Sequence, residues 1–318
     1  MILCRLATLL LFAAALAPVP AMAQPVTVTD AGGREVVVGD STRTVSVGGS
    51  ITEILYELGA DGRIVAVDST SQFPPRALTD KKNVGYMRAL SPEGVLGVAP
   101  TLILALKGSG PPQTLSVLET AGIPMVMVGD EYSGEGIVRK VRLVAKAMRL
   151  EDRGKCLADR VRRDLDSLAL WRTGIKRPLR VVFVMSFVNG RAMVAGHKTA
   201  ADGIIRLAGA VNAADRFEGY KQLEDEAVVA AQPDAVLVMV RGGADPLTAK
   251  EVFAHPGFAL TPAASRQAFV AMDGLYLLGF GPRTASAARD LAQKLYPDLQ
   301  PPQTVGAATP SATVACNR

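Results

Sequence analysis

Two segments of this chain repeat one another: Glu93-Gly-Val-Leu-Gly-Val-Ala-Pro100-Thr-Leu-Ile-Leu104 and Glu226-Ala-Val-Val-Ala-Ala-Gln-Pro233-Asp-Ala-Val-Leu237. Each reads as a short helix opened by an acid, a proline that stops it, and then an apolar strand. The acid suits the first helical turn, where free N–H groups and the helix dipole favour negative charge. The run of Leu, Ile and Val after the proline suits a sheet covered on both faces. A unit of this kind used twice implies two similar lobes. An α/β chain with two lobes usually works in the cleft between them.

The first 23 residues read as a secretion signal rather than structure. Arg5 supplies the basic start, Leu6 to Leu16 the apolar core, and Ala21-Met22-Ala23 a small-x-small cleavage site before Gln24. The apolar stretch falls short of the ~20 residues that span a bilayer, and no later segment is long and apolar enough. The expectation is an exported, soluble protein. The rest of the chain suffices for two domains of ~100–150 residues.

Charge and composition narrow the function. The 35 basic and 30 acidic side chains leave a formal net charge of +5, without a dense basic run interleaved with aromatics. Nucleic acid is therefore not expected as a partner. Only two histidines are present, which argues against a zinc site or a Ser-His-Asp triad, and no nucleophile–base pair is visible. The chain is not expected to be an enzyme. Beyond the signal, Cys156 and Cys316 remain; an oxidising compartment permits their pairing but does not require it.

Alternation of strands and helices sets out the organisation. Val26–Thr29 and Glu35–Val38 flank Ala31-Gly32-Gly33 as a hairpin. Strands are expected at 44–48, 64–67, 102–106 and 125–128, with Ser50 and Thr52 capping a helix that ends at Gly59. Leu157, Val161, Leu165 and Leu168 recur at helical spacing through Glu151 to Trp171, a connector between the lobes. Strands then resume at 180–185, 192–195, 235–240 and 269–272, with a helix over 200–208. The expected division is an N-terminal α/β lobe over 24–148, a connecting helix over 149–175, a C-terminal α/β lobe over 176–298, and a Pro, Ala, Thr and Ser-rich disordered tail over 299–318. Both sheets should be mostly parallel.

Ligands of parallel α/β lobes meet loops at the carboxyl ends of strands. Three stretches qualify: Asp68 to Pro75 with Gly85-Tyr86-Met87-Arg88, then Arg241-Gly242-Gly243, then Leu277 to Arg283. The segment Gly85-Tyr86-Met87-Arg88-Ala89-Leu90-Ser91, with Glu93 and Gly281-Pro282-Arg283-Thr284, resembles the periplasmic haemin-binding proteins of bacterial haem ABC importers. These belong to the helix-linked class of substrate-binding proteins that also serves cobalamin and ferric siderophores. The resemblance covers Val26 to Pro297.

It implies a carrier of ferric haem b, with Tyr86 as the axial iron ligand and Arg88 beside it or on a propionate. An anionic phenolate suits ferric iron, a hard Lewis acid. By the same resemblance Arg241 clamps the other propionate, with Arg283 as a weaker candidate. Some relatives offer a second-lobe histidine near Val181–Met185; none stands here, so the iron is expected to be five-coordinate with Phe187 covering its distal face. Phe73 stands where many relatives carry tyrosine. Glu93 and Glu226 match the acids that dock each lobe onto the permease dimer. The implied partners are haem, that permease, and an outer-membrane haem receptor upstream; a monomer is expected. The alternatives are a cobalamin or siderophore binder of the same fold, or an exported α/β enzyme.

Overall fold

The computed structural model describes residues 24–240, 246–299 and Cys316. The expected signal segment, Arg241 and all of the expected tail except Leu299 and Cys316 lie outside the described residues. The hairpin β1 (Val26–Thr29) and β2 (Glu35–Val38) opens the first lobe. There follow β3 (Thr44–Val47), α1 (Gly49–Glu57), β4 (Ile64–Val67), α2 (Arg76–Asp80), β5 (Lys82–Asn83), α3 (Pro92–Leu96), β6 (Leu102–Leu106), α4 (Pro112–Thr120), β7 (Met125–Val128) and α5 (Gly134–Ala147). The five strands from β3 onward form a parallel sheet ordered β5-β4-β3-β6-β7. Helices close both faces, and β6 is buried at every position, as its unbroken apolar sequence requires.

Helix α6 (Glu151–Arg172) has 22 residues and spans ~33 Å. It packs along α5, where Gly154 is needed because a Cβ there would fall 2.2 Å from the Ala145 Cβ. Near its start Arg153 Nη1 donates to the Leu58 carbonyl at 3.0 Å, and near its middle Arg160 Nη2 meets Glu57 Oε2 at 2.7 Å, both in the first lobe. At its end Arg172 Nη1 donates to the Arg206 carbonyl in the second lobe, at 2.7 Å. The helix thus passes from one lobe to the other.

The second lobe comprises β8 (Arg180–Val188), β9 (Arg191–Ala195), α7 (Ala200–Leu207), β10 (Val211–Asn212), β11 (Tyr220–Leu223), α8 (Asp225–Ala231), β12 (Ala235–Val240), α9 (Ala249–Ala254), α10 (Pro256–Ala259), α11 (Pro262–Ser265), β13 (Phe269–Asp273), α12 (Gly274–Leu278) and α13 (Thr284–Leu295). Its sheet runs β11-β9-β8-β12-β13, with β10 also on β8. Strands β8, β12, β13 and β10 are parallel, while β9 returns as a hairpin against β8. The main buried cluster continues from Ile51 and Ile54 in the first lobe to Ile204, Leu277 and Phe280 in the second.

Two local expectations change. Ser50 and Thr52 do not cap α1, whose side chains make no capping bond; both are buried. The Thr52 hydroxyl sits 2.7 Å from those of Ser46 and Ser71. Cys156 and Cys316 form a disulfide, with Cα atoms 5.7 Å apart. Cys316 is buried, so the chain is anchored at that point within the expected tail.

Candidate functional site

Short strand β5 ends the first-lobe sheet and delivers the loop that carries Tyr86 and Arg88. Gly85 takes φ +93°, a left-handed conformation that glycine adopts without strain. Its N–H is held by Asn83 Oδ1 at 2.8 Å, and its carbonyl by the Ser69 N–H at 2.8 Å. Met87 and Leu90 are buried and pin the loop from below. Tyr86 and Arg88 consequently project outward, and Tyr86 is 43% exposed. Arg88 Nη1 donates to Tyr86 Oη at 3.0 Å.

These two side chains help line a cavity of about 600 Å³ between the lobes. The first-lobe wall is polar and includes Ser50, Ser69, Thr70, Gln72 and Asp130. Buried Asp68 shapes it: Oδ1 accepts from the Gly48 N–H at 2.8 Å and Oδ2 from the Thr70 N–H at 3.0 Å. The opposite wall is largely apolar: Met185, Ala200, Met239, Val240, Leu275 and Leu278, with Tyr220 as its hydroxyl.

A second first-lobe phenol, Tyr132, also lines the cavity. Burial, reinforced by the Asp130 carboxylate that accepts its hydrogen bond, pushes its ionisation well above the usual tyrosine range. Its ring meets Phe280 edge-on at 5.3 Å. Behind this wall Lys140 is fully buried, its Nζ 3.0 Å from Asp130 Oδ1 and 3.1 Å from Ser50 Oγ. Desolvation lowers the Lys140 pKa, opposed by Asp130. Tyr132 is thereby committed to the neutral form, whereas Tyr86 receives a cationic donor.

The remaining expected site residues fall elsewhere. Phe187 does not line the cavity; it stacks on His255 with centroids 4.6 Å apart and meets Phe258 edge-on. On β8 it is Met185, two residues earlier, that reaches the cavity wall. Arg283 is likewise absent from the wall, because its Nη2 pairs with buried Glu53 at 3.0 Å. Arg241 lies outside the described residues; Val240 before it lines the cavity. His255 Nε2 bonds the Gly190 carbonyl at 2.6 Å, and His197 Nδ1 that of Asp215 at 3.2 Å. Neither lines the cavity. Glu93 and Glu226 are exposed in the first turns of α3 and α8, away from the cavity wall. Asp130 and Tyr132 lie two and four residues past the end of β7, so the strand-end rule that selected Tyr86 also reaches them.

A family model described as periplasmic binding protein matches residues 44–274. The chain belongs to that family, whose members are binding proteins. Among solved structures it is similar to the periplasmic heme-binding protein RhuT from Roseiflexus sp. RS-1 in apo form. The identity is 38% over 82% of this chain and 100% of that one, with a TM-score of 0.76. Among curated sequences it is 27% identical to YvrC of Bacillus subtilis, named an uncharacterized ABC transporter substrate-binding lipoprotein, over 86% of each chain. It is also 24% identical to the vitamin B12-binding protein of Pectobacterium carotovorum, over 80% of this chain and 88% of that one.

Proposed function

We propose that this protein is a periplasmic haem carrier that delivers ferric haem to an inner-membrane ABC importer. The observation that carries the proposal is the Arg88–Tyr86 pair at the wall of the interlobe cavity. A free tyrosine ionises near pH ~10. Coordination to ferric iron supplies the drive to phenolate, and the adjacent guanidinium is placed to donate to the ligand oxygen. Tyr132, held neutral by burial and Asp130, is unsuited to that task. The contrast between a polar first-lobe wall and an apolar second-lobe wall suits a flat ligand with one coordinated face and one covered face. Met185, Met239, Leu275 and Leu278 replace Phe187 as that cover, and thioethers pack well on aromatic rings.

Arg88 also lies close enough to the cavity to pair with a propionate, and Arg241 is proposed for the other on sequence grounds. Glu93 and Glu226 are proposed to dock the two lobes onto the permease dimer. Relatives named for vitamin B12 favour a second reading, a corrinoid carrier. A corrinoid carries amides around its whole rim, and the apolar second wall offers few partners for them. Titrating the purified protein with ferric haem and, separately, with cyanocobalamin separates the readings. A saturable charge-transfer band of iron–tyrosinate type with haem supports the proposal. Binding of the corrinoid alone would replace it.

A further inference from the structure

Arg283 is held by groups that span the lobe boundary, through its Nη2, its backbone N–H and the faces of its guanidinium, while its buried Nε has no hydrogen-bond partner. Its guanidinium lies 3.5 Å from the ring centroid of Phe73 and 5.1 Å from that of Tyr276. Nη2 donates to Glu53 Oε2 at 3.0 Å, and the Arg283 backbone N–H donates to Glu53 Oε1 at 3.1 Å. Both carboxylate oxygens of Glu53 are thus bound by one residue. Glu53 and Phe73 belong to the first lobe, Arg283 and Tyr276 to the second. Among ion pairs of the described residues, this is the one that joins the two lobes directly; Arg160–Glu57 and Arg162–Glu135 join α6 to the first lobe.

The contact is continuous with the cavity wall. Glu53 follows Gly49 and Ser50 on α1, and both of these line the cavity. A Cβ on Gly49 would fall 2.6 Å from Leu275 Cδ1, and one on Gly281 would lie 3.5 Å from Ser50 Cβ and Glu53 Cδ. Leu275, Leu278 and Gly279, just before the Gly281–Arg283 turn, form part of the opposite wall. Fastening Arg283 to Glu53 therefore fixes one wall against the other. A planar guanidinium is suited to this, since it stacks on an aromatic face while its edge binds the carboxylate.

We infer that Glu53 and Arg283 form a clasp between the lobes that sets the width of the ligand cleft, so that Arg283 acts on the ligand by positioning rather than by contact. The ligand readout rests on the haem proposal; the geometric readout does not. Four proteins test the clasp: wild type, Glu53→Gln, Arg283→Met, and the double variant. Haem transfer to excess apomyoglobin, the visible spectrum of the loaded protein, and the radius of gyration of the unloaded protein by solution scattering are measured for each.

Each single variant should release haem about tenfold faster, the equivalent of one lost charge-assisted contact. The double variant should release it no faster than the quicker single, since partners in one interaction are non-additive. The tyrosinate band should stay unchanged, and the radius of gyration should increase in all three variants. Additive effects, or fast release from Arg283→Met with none from Glu53→Gln, would overturn the clasp in favour of direct ligand contact. An unchanged radius would overturn it as well. If Arg283→Met does not fold because Glu53 is left buried and unpaired, the double variant removes both charges and decides the matter alone. If the wild type takes up no haem, the proposed function fails, while the scattering comparison still tests the clasp.

Discussion

At the residue scale, the site turns on how differently two neighbouring phenols are treated. Tyr86 stands on a loop pinned by Met87 and Leu90 and receives a guanidinium donor; Tyr132 keeps its proton and donates a hydrogen bond to the Asp130 carboxylate. Arg88→Ala removes the donor while leaving the proposed iron ligand, Tyr86, in place. Haem release should quicken by a factor of roughly 10 to 150, from the loss of one charge-assisted bond worth ~1.5–3 kcal/mol when shielded, with the spectrum still of tyrosinate type. Stopped-flow transfer to apomyoglobin measures this, and an unchanged rate would remove Arg88 from the site. Tyr86 and Arg88 were legible because they follow a strand end and match a motif. The cover was not: Phe187 lies on the same strand as Met185, and alternation alone could not say where β8 leaves the cavity for the cluster around Phe258. Lys140 shows another limit, because a lysine within an apolar helix face becomes intelligible only once Asp130 and Ser50 are placed beside it.

At the element scale, α3 and α8 were legible because Pro100 and Pro233 delimit them, and each is followed by an apolar run that could only be a covered strand. Edge strand β11 was not, since Tyr-Lys-Gln-Leu offers no apolar run, and its pairing with β9 supplies the order. Glu93 and Glu226 are exposed and without ion pairs among the described residues, as docking charges need to be. Reversing both to Lys should stop haem uptake by a reconstituted importer while haem affinity stays near wild type. Lost affinity would instead place these acids in binding. The disulfide ties α6 to Cys316 and closes a loop across a sequence separation of 160 residues. Its removal by the Cys156→Ser/Cys316→Ser double substitution should cost about 2–5 kcal/mol through the unfolded state. Guanidinium unfolding measures that cost, and an unshifted midpoint would contradict it.

At the scale of the whole molecule, the repeated segment correctly indicated two lobes, and the periodicity of residues 151–171 the helix between them. How the lobes meet was not legible, because it depends on contacts distant in sequence: Glu53 with Arg283, Tyr132 with Phe280. A buried cluster shared by both lobes and a connector without proline should allow little closure on loading, since helix bending needs a break in the hydrogen-bond ladder. Solution scattering should show nearly the same radius of gyration with and without haem, and a large compaction would contradict that rigidity. The central claim is that the cleft between these lobes holds ferric haem through one phenolate. The visible spectrum of haem-loaded Tyr86→Phe tests it most directly. The substitution keeps the ring and removes the ligand oxygen, so the account predicts loss of the tyrosinate charge-transfer band and greatly weakened binding; a spectrum unchanged from wild type would contradict it.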